Sequence, residues 1–404
     1  MKKLESLSFF LLWESVYSDY EKILDSIDKS FKIIYEIDLN WTSENFPYNL
    51  SRLYRLHISQ VSDAVADRGL STGKLKLIIV ETKGDRELYQ TFSGRVEYVY
   101  SDIMNFKEEL RAKYKNNVVH SANSEEEFIR DILLLVGLDN FHRIQSRTNL
   151  GLIASDLAGV NGWSSFDELF SYLNLTLDYV VLRNSQELIE GAIDKILDVD
   201  LLVSDQGIFL SISGASYSYP RSVGASSCTV RVSNTDVIFD ATSIGDGYYC
   251  QAWQRDVIER RKFTTFLYTP SIEDEYFCYI YHLALHKTDS EIRKRMNILL
   301  ELESKLSIKN VSKLRASFVE RVEFLGGFLL ANGYVLSLPR RANKKINLQY
   351  LNYLKSKSPY SKIERKKNVE KIQRLIEKFP GAIWVYLKIK KSPLAIRVIR
   401  KIIS

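Results

Sequence analysis

Cysteine is scarce. Three occur in 404 residues, Cys228, Cys250 and Cys278, and no two form a C-x-x-C pair. So sparse and odd a set argues for a reducing compartment and against a structural zinc site. Long apolar runs are missing too. The longest uncharged stretch, residues 324–339, is too short to span a bilayer and holds Asn332 and the adjacent Gly326 and Gly327. Near the start, the apolar run 9–13 stops at Glu14 and no small-residue cleavage pattern follows, so no secretory leader is expected. No internal repeat is evident. Hydrophobic content of 45% and charged content of 26% are ordinary for a soluble globular chain, and the length suggests two or three domains.

Charge is present but unevenly placed. The chain carries 56 Lys and Arg against 50 Asp and Glu, yet residues 340–404 alone hold 19 Lys and Arg against 3 Glu. An acidic body with a basic tail points to an anionic partner, a membrane surface or nucleic acid. Ser392-Pro393 opens a final helix, a good N-cap followed by proline at the first helical position. On a helical wheel Leu394, Ala395, Ile396, Val398, Ile399, Ile402 and Ile403 fill one half, and Arg397, Arg400 and Lys401 the other. Trp384 and Tyr386 lie just before. The pattern reads as an interfacial membrane helix or as a helix docked on the protein's own core.

Residues 1–150 read as α/β. Strands are expected at 31–39, 75–81, 94–100 and 118–120, and helices at 41–61 and 102–114. Ser124 with Glu127 three residues on reads as a capping box opening a further helix. Asn149, Gly151, Gly159, Asn161 and Gly162 cluster at a plausible boundary. Beyond it come a helix at 165–173, an apolar strand at 179–184, and strands at 207–212, 229–232 and 237–240. From 272 the pattern turns helical, with strong periodicity at 276–285, 292–306 and 311–330.

The chemistry gathers on Asp198-Val199-Asp200-Leu201-Leu202-Val203. In a strand, residues i and i+2 share a face, so both carboxylates leave one side of an otherwise apolar strand. A third acid, Asp240, ends the next apolar run. Side-by-side anions are costly unless a cation holds them, and hard cations take oxygen ligands. The three acids therefore read as a cage for Mg²⁺ or Mn²⁺, of the kind used in phosphoryl displacement.

Other candidates surround it. Arg183, at the end of the strand before, would bind phosphate oxygens or balance the aspartates; Arg231 and Arg255 are weaker versions of the same idea. The run Ser243 to Tyr249 has Gly245 and Gly247, which allow close backbone approach, and Asp246, which would bind a hydroxyl or the metal; it also reads as an ordinary turn. His282 and His286 share a helical face next to Lys287, either as donors to substrate phosphate or as part of a core helix. His120 precedes a capped helix, where it would serve an anion or a local turn hydrogen bond.

Five stretches then look familiar together: Tyr179 to Asn184, Asp198 to Val203, Ile244 to Tyr249, Tyr281 to Lys287, and Asn332-Gly333-Tyr334. They resemble polymerase-β-like nucleotidyltransferase-fold phosphotransferases encoded in bacterial capsule and O-antigen clusters. These are distantly similar to phosphocholine transferases and fukutin-type ribitol-phosphate transferases. The chain departs from the pattern where a Gly-Ser turn is usual and Asn184 stands. The resemblance implies an α/β N-terminal domain (1–150), an α+β nucleotidyltransferase-like core with a mixed sheet and helices (151–270), a helical subdomain (271–340) and the basic tail (341–404). It implies catalysis by Asp198, Asp200 and Asp240, which also hold the metal, and substrate binding by Arg183, Asn184, Asp246, His282, His286 and Lys287. The expected reaction moves a phospho-alditol, or a related phospho-group, from a nucleotide-diphosphate donor (CDP-linked) to a sugar hydroxyl in cell-surface polysaccharide synthesis. The partners would be that donor, a glycan or lipid-linked glycan acceptor and an anionic membrane, on the inner face of the cell membrane in the cytoplasm. Nucleic acid is not the expected partner. The rival readings are a D-x-D glycosyltransferase using a nucleotide-sugar and a non-catalytic nucleic-acid-binding module.

Overall fold

The computed structural model describes residues 7–56, 60–62, 65, 73–90, 96–114, 118–191, 198–217, 227–306, 317–336 and 347–357. The chain opens with β1 (Leu7–Trp13), α1 (Tyr20–Ser30), β2 (Lys32–Asn40), α2 (Phe46–Tyr54) and β3 (Lys74–Glu81). A hairpin follows, β4 (Arg86–Gln90) and β5 (Val96–Tyr100), then α3 (Ser101–Tyr114), β6 (Val119–Ser121), α4 (Glu125–Val136) and α5 (Leu138–Ser146). Four of these strands make an antiparallel sheet in the order β2-β3-β1-β6. Strand β1 is buried throughout because both faces of the sheet are covered. Leu7, Phe9, Leu11 and Trp13 enter one core, while Phe10 and Leu12 enter another with Ile23 and Ile27 of α1 and Ile103 and Phe106 of α3. The short apolar run at 9–13 is thus the middle of a sheet.

The second sheet carries the acids. Its elements are α6 (Phe166–Thr176), β7 (Tyr179–Val181), α7 (Ser185–Ile189), β8 (Val199–Val203), α8 (Gln206–Ser213), β9 (Ser216–Tyr217), β10 (Ser227–Val232) and β11 (Thr235–Ser243). The order is β7-β8-β11-β10-β9, with β8 and β11 parallel and every other pair antiparallel. A two-residue turn joins β10 to β11, and Ser233 (φ 48°) and Asn234 (φ 61°) take the left-handed conformation such a hairpin requires. Next come α9 (Gln251–Glu259) and the small hairpin β12 (Lys262–Thr264) and β13 (Leu267–Thr269). Last come α10 (Ile272–His286), α11 (Asp289–Lys294), α12 (Met296–Lys305), α13 (Phe318–Ala331) and α14 (Leu348–Lys357). The fold is mixed α/β with a helical C-terminal part.

Four local expectations change. Residues 207–212 form helix α8, not a strand. Its apolar run fits either period, and the Asp205 carboxylate, accepting from Ile208 N–H at 3.0 Å, caps it as a helix. The helix expected at 41–61 is the shorter α2, which ends where Arg55 turns left-handed (φ 54°). The periodicity at 292–306 is two helices that meet at Arg295. Ser124 does cap α4, but the Glu127 carboxylate reaches back to Asn123 N–H at 2.8 Å, one residue beyond the expected partner.

Strand alternation decides where the site lies. Val199, Leu201 and Val203 point into the core they share with Phe9 and Trp13 of the first sheet, so one continuous core spans residues 149–162, the segment of the Asn/Gly cluster. Leu202 points the other way, with Val180, Leu182, Tyr249, Trp253 and Tyr281. Asp198 and Asp200 share the parity of Leu202, so they open on the face that the C-terminal helices cover. The basic tail beyond Lys357 and its expected final helix lie outside the described residues. No helix among the described residues is long and apolar enough to cross a membrane.

Candidate metal centre

Parallel pairing of β8 with β11 sets Asp200 directly beside Asp240. Asp198 stands just before β8, on the same face. One carboxylate oxygen from each of the three lies within 4.8 Å of the others. Asp200 is buried, and Asp198 and Asp240 are half-buried. Burial lifts the Asp198 carboxyl above the usual carboxylate range, and the charges of Asp200 and Asp240 lift it further; Arg183 and Lys287 pull it back down. This is the electrostatic signature of a site that gains from a cation. An all-carboxylate donor set, with room left on the half-buried acids, fits a hard divalent ion such as Mg²⁺ or Mn²⁺.

Arg183 is placed by β7. A hydrogen bond from Leu182 N–H to Asp200 O at 2.9 Å continues the β7–β8 pairing by one residue and brings Arg183 alongside. Its Nε donates to Asp200 Oδ2 at 2.9 Å and its Nη2 to Asp200 Oδ1, a bidentate pair. Burial alone would push this guanidinium down, but the Asp200 charge outweighs it and the group is held firmly protonated. Of the two roles read from the sequence, the contacts are those of charge balance. Asn184 follows in the left-handed conformation (φ 61°), one that asparagine tolerates better than most residues, and its Nδ2 donates to Asp198 O at 3.4 Å. It takes the bend for which glycine is the usual choice.

The remaining candidates lie around this centre. The Asp246 carboxylate accepts from Tyr248 N–H and from Gln254 Nε2, both at 2.8 Å, and Gln254 Oε1 accepts from Gly245 N–H at 2.7 Å. The glycine-rich turn is therefore ordered from within, around a fully buried glutamine. His282 Nδ1 pairs with Tyr248 Oη at 3.0 Å, and the His286 ring stacks on Tyr248 with centroids 5.3 Å apart. Both histidines thus build the wall behind the turn. Lys287, at the C-terminal end of α10, is 3.8 Å from Glu291, and its charge acts on Asp198.

Ser227 was missed by sequence reasoning. Its Oγ donates to Asp240 Oδ1. Counting outward in equal steps from the Ser233-Asn234 turn pairs Ser227 with Asp240, so the signal was present once the turn was recognised. Gln254 carried no signal.

A second group, His120, Glu127 and Asp131, also brings ligand atoms within 4.8 Å of one another. Here His120 Nε2 meets Asp131 Oδ2 at 2.8 Å, and Arg130 Nε donates to Asp131 Oδ1 at 2.7 Å. Lys107, only 5% exposed, donates to Asn123 Oδ1 at 3.1 Å nearby. Cations already balance these acids, so the cluster is an internal ion network. The expected anion or turn role of His120 gives way to this buried pair.

Compared with known proteins, the chain matches no family model, no curated protein and no solved structure.

Proposed function

We propose that the chain is a divalent-metal-dependent phosphotransferase acting on a nucleotide-activated donor. The observation that carries the reading is the convergence of Asp198, Asp200 and Asp240 on one sheet face, with Asp200 fixed by Arg183. Three carboxylates less one guanidinium leave two negative charges, the complement of one divalent cation. Asp198, Asp200 and Asp240 would hold that ion, and when bound it would supply positive charge to offset that of the donor phosphates. Arg183 keeps Asp200 aimed at the site. Asp240, half-buried on β11, is the base for the incoming hydroxyl. Lys287, whose charge already acts on Asp198, would offer the phosphates a further positive charge.

The element order also supports it. Helix and strand alternate through α6, β7, α7, β8 and α8, with a pair of acids at β8 and a third on β11, the order carried by the nucleotidyltransferases that the sequence resembles. That resemblance narrows the donor to a CDP-linked alditol or a related phospho-group and the acceptor to a sugar hydroxyl of a cell-surface polysaccharide. On that resemblance the work would lie at the cytoplasmic face of the cell membrane, reached through the basic tail. A thermal-shift screen of nucleotides and nucleotide-sugars, with and without Mg²⁺, tests the reading. Stabilisation by CDP-linked compounds that needs Mg²⁺ is the expected outcome. A UDP- or GDP-sugar as the sole hit moves the reading to glycosyl transfer, and tight RNA or DNA binding with no nucleotide hit moves it to a binding module.

A further inference from the structure

Ser227 has no task in the reading above. It opens β10, is exposed, and is the direct antiparallel partner of Asp240. Its hydroxyl donates to Asp240 Oδ1, and an Asp240 oxygen lies within 4.8 Å of oxygens of Asp198 and Asp200. Alternation turns Cys228 to the buried side, its thiol meeting Phe239 O at 3.6 Å, while Thr229 shares the face of Ser227 but lies two residues further along, opposite Ile238 rather than Asp240. A hydroxyl that donates to a carboxylate beside a metal centre has the geometry of a nucleophile with its base.

We propose that Ser227 is a self-modification site, whose hydroxyl takes up the phospho-group that this centre transfers from a nucleoside-diphosphate-linked donor. The inference rests on the phosphotransfer reading. In the step, Ser227 Oγ forms a bond to the donor phosphorus. The bond from that phosphorus to the oxygen of the nucleoside monophosphate breaks and its electron pair leaves with the nucleotide. The hydroxyl proton passes to Asp240, and no oxidant or reductant is involved. The resulting phosphodiester removes the hydrogen bond to Asp240 and sets a new negative charge beside the acids. The modified protein is therefore held inactive until the ester is cleaved.

The test incubates the full-length protein with Mg²⁺ and, separately, CDP-glycerol, CDP-ribitol and CDP-choline. Mass spectrometry then weighs the peptide that contains Ser227. Calorimetry measures Mg²⁺ binding on the same preparations. The expected result is an adduct on Ser227 that disappears with EDTA, in Asp240→Asn and in Ser227→Ala, while Ser227→Ala keeps its melting temperature and binds Mg²⁺ within about threefold of wild type. Protein that binds Mg²⁺ but forms no adduct with any donor overturns the proposal, as does equal labelling of Ser227→Ala. A tenfold or greater loss of Mg²⁺ affinity in Ser227→Ala, with no adduct on the wild type, reduces the residue to orienting Asp240 and also overturns it. Failure of the wild type to bind Mg²⁺ is a different result, because it removes the metal reading on which the proposal stands.

Discussion

Arg183 and Asp200 illustrate how a charge can be both a liability and a tool. Their side chains are 16% and 12% exposed, so each has left most of its water behind. The bidentate contact offsets that loss only while both partners are present. Arg183→Ala leaves Asp200 buried with no counter-charge, and its expected cost is about 3 kcal/mol or more in urea unfolding. The double variant Arg183→Met with Asp200→Leu should recover most of that loss; no recovery would show that the pair matters for something other than mutual charge. Lys107 is the opposite case, a buried ammonium whose side-chain acceptor among the described residues is the neutral Asn123 amide. Burial pushes it down to about 8 from 10.5. The unfolded chain therefore binds more protons between those values, so stability rises with pH from about 8 to about 10.5 and the cost is fully present below 8. Lys107→Met should abolish that rise and stabilise the protein by about 3 kcal/mol at neutral pH, read from unfolding curves at pH 7 and pH 10.

At the scale of elements, periodicity and caps were legible and boundaries less so. The D-x-D strand was read correctly because alternation places two acids and Leu202 on one face. Helix α8 was not, because the run from Gly207 to Ile212 is too short for its period to separate helix from strand. What settles it is tertiary: the Asp205 cap, and donors that meet the carbonyls at its far end. Arg52 Nε donates to Ser211 O at 2.9 Å and Arg52 Nη2 to Ile212 O at 2.8 Å, while Trp163 Nε1 donates to Ser213 O at 2.8 Å. Those partners are 159, 160 and 50 residues away in sequence, beyond the reach of any local pattern. Strand β1 was passed over for a related reason, since a strand buried on both faces shows no alternation. Helix α8 follows closely on β8, so its cap can be tested apart from the acids. Asp205→Ala should cost about 1 kcal/mol of stability. Metal affinity should stay within about twofold, and a larger change would tie the helix to the site.

For the whole molecule, the two cores meet at β8, whose alternate residues feed both. The three acids come from the second sheet alone, on the face that turns toward the core of the helical part. The segment 340–404, with 19 Lys and Arg against 3 Glu, gives the molecule an electrostatic direction. Each basic residue near an anionic bilayer contributes about 1 kcal/mol, an attraction screened by salt, while an inserted apolar face resists salt. The full-length chain should pellet with anionic liposomes at low salt, and a chain cut after Lys357 should stay in the supernatant. Tight binding of the full chain to nucleic acid with no liposome binding would reassign the tail.

The most direct measurement of the central claim is calorimetric titration of the full-length protein, stripped with EDTA and then dialysed, with Mg²⁺ and with Mn²⁺. The account expects saturable binding in the wild type that is lost in Asp198→Asn and in Asp240→Asn, with both variants melting at or above the metal-free wild type because a like charge has been removed. Absence of binding in the wild type, or binding that persists in both variants, contradicts it.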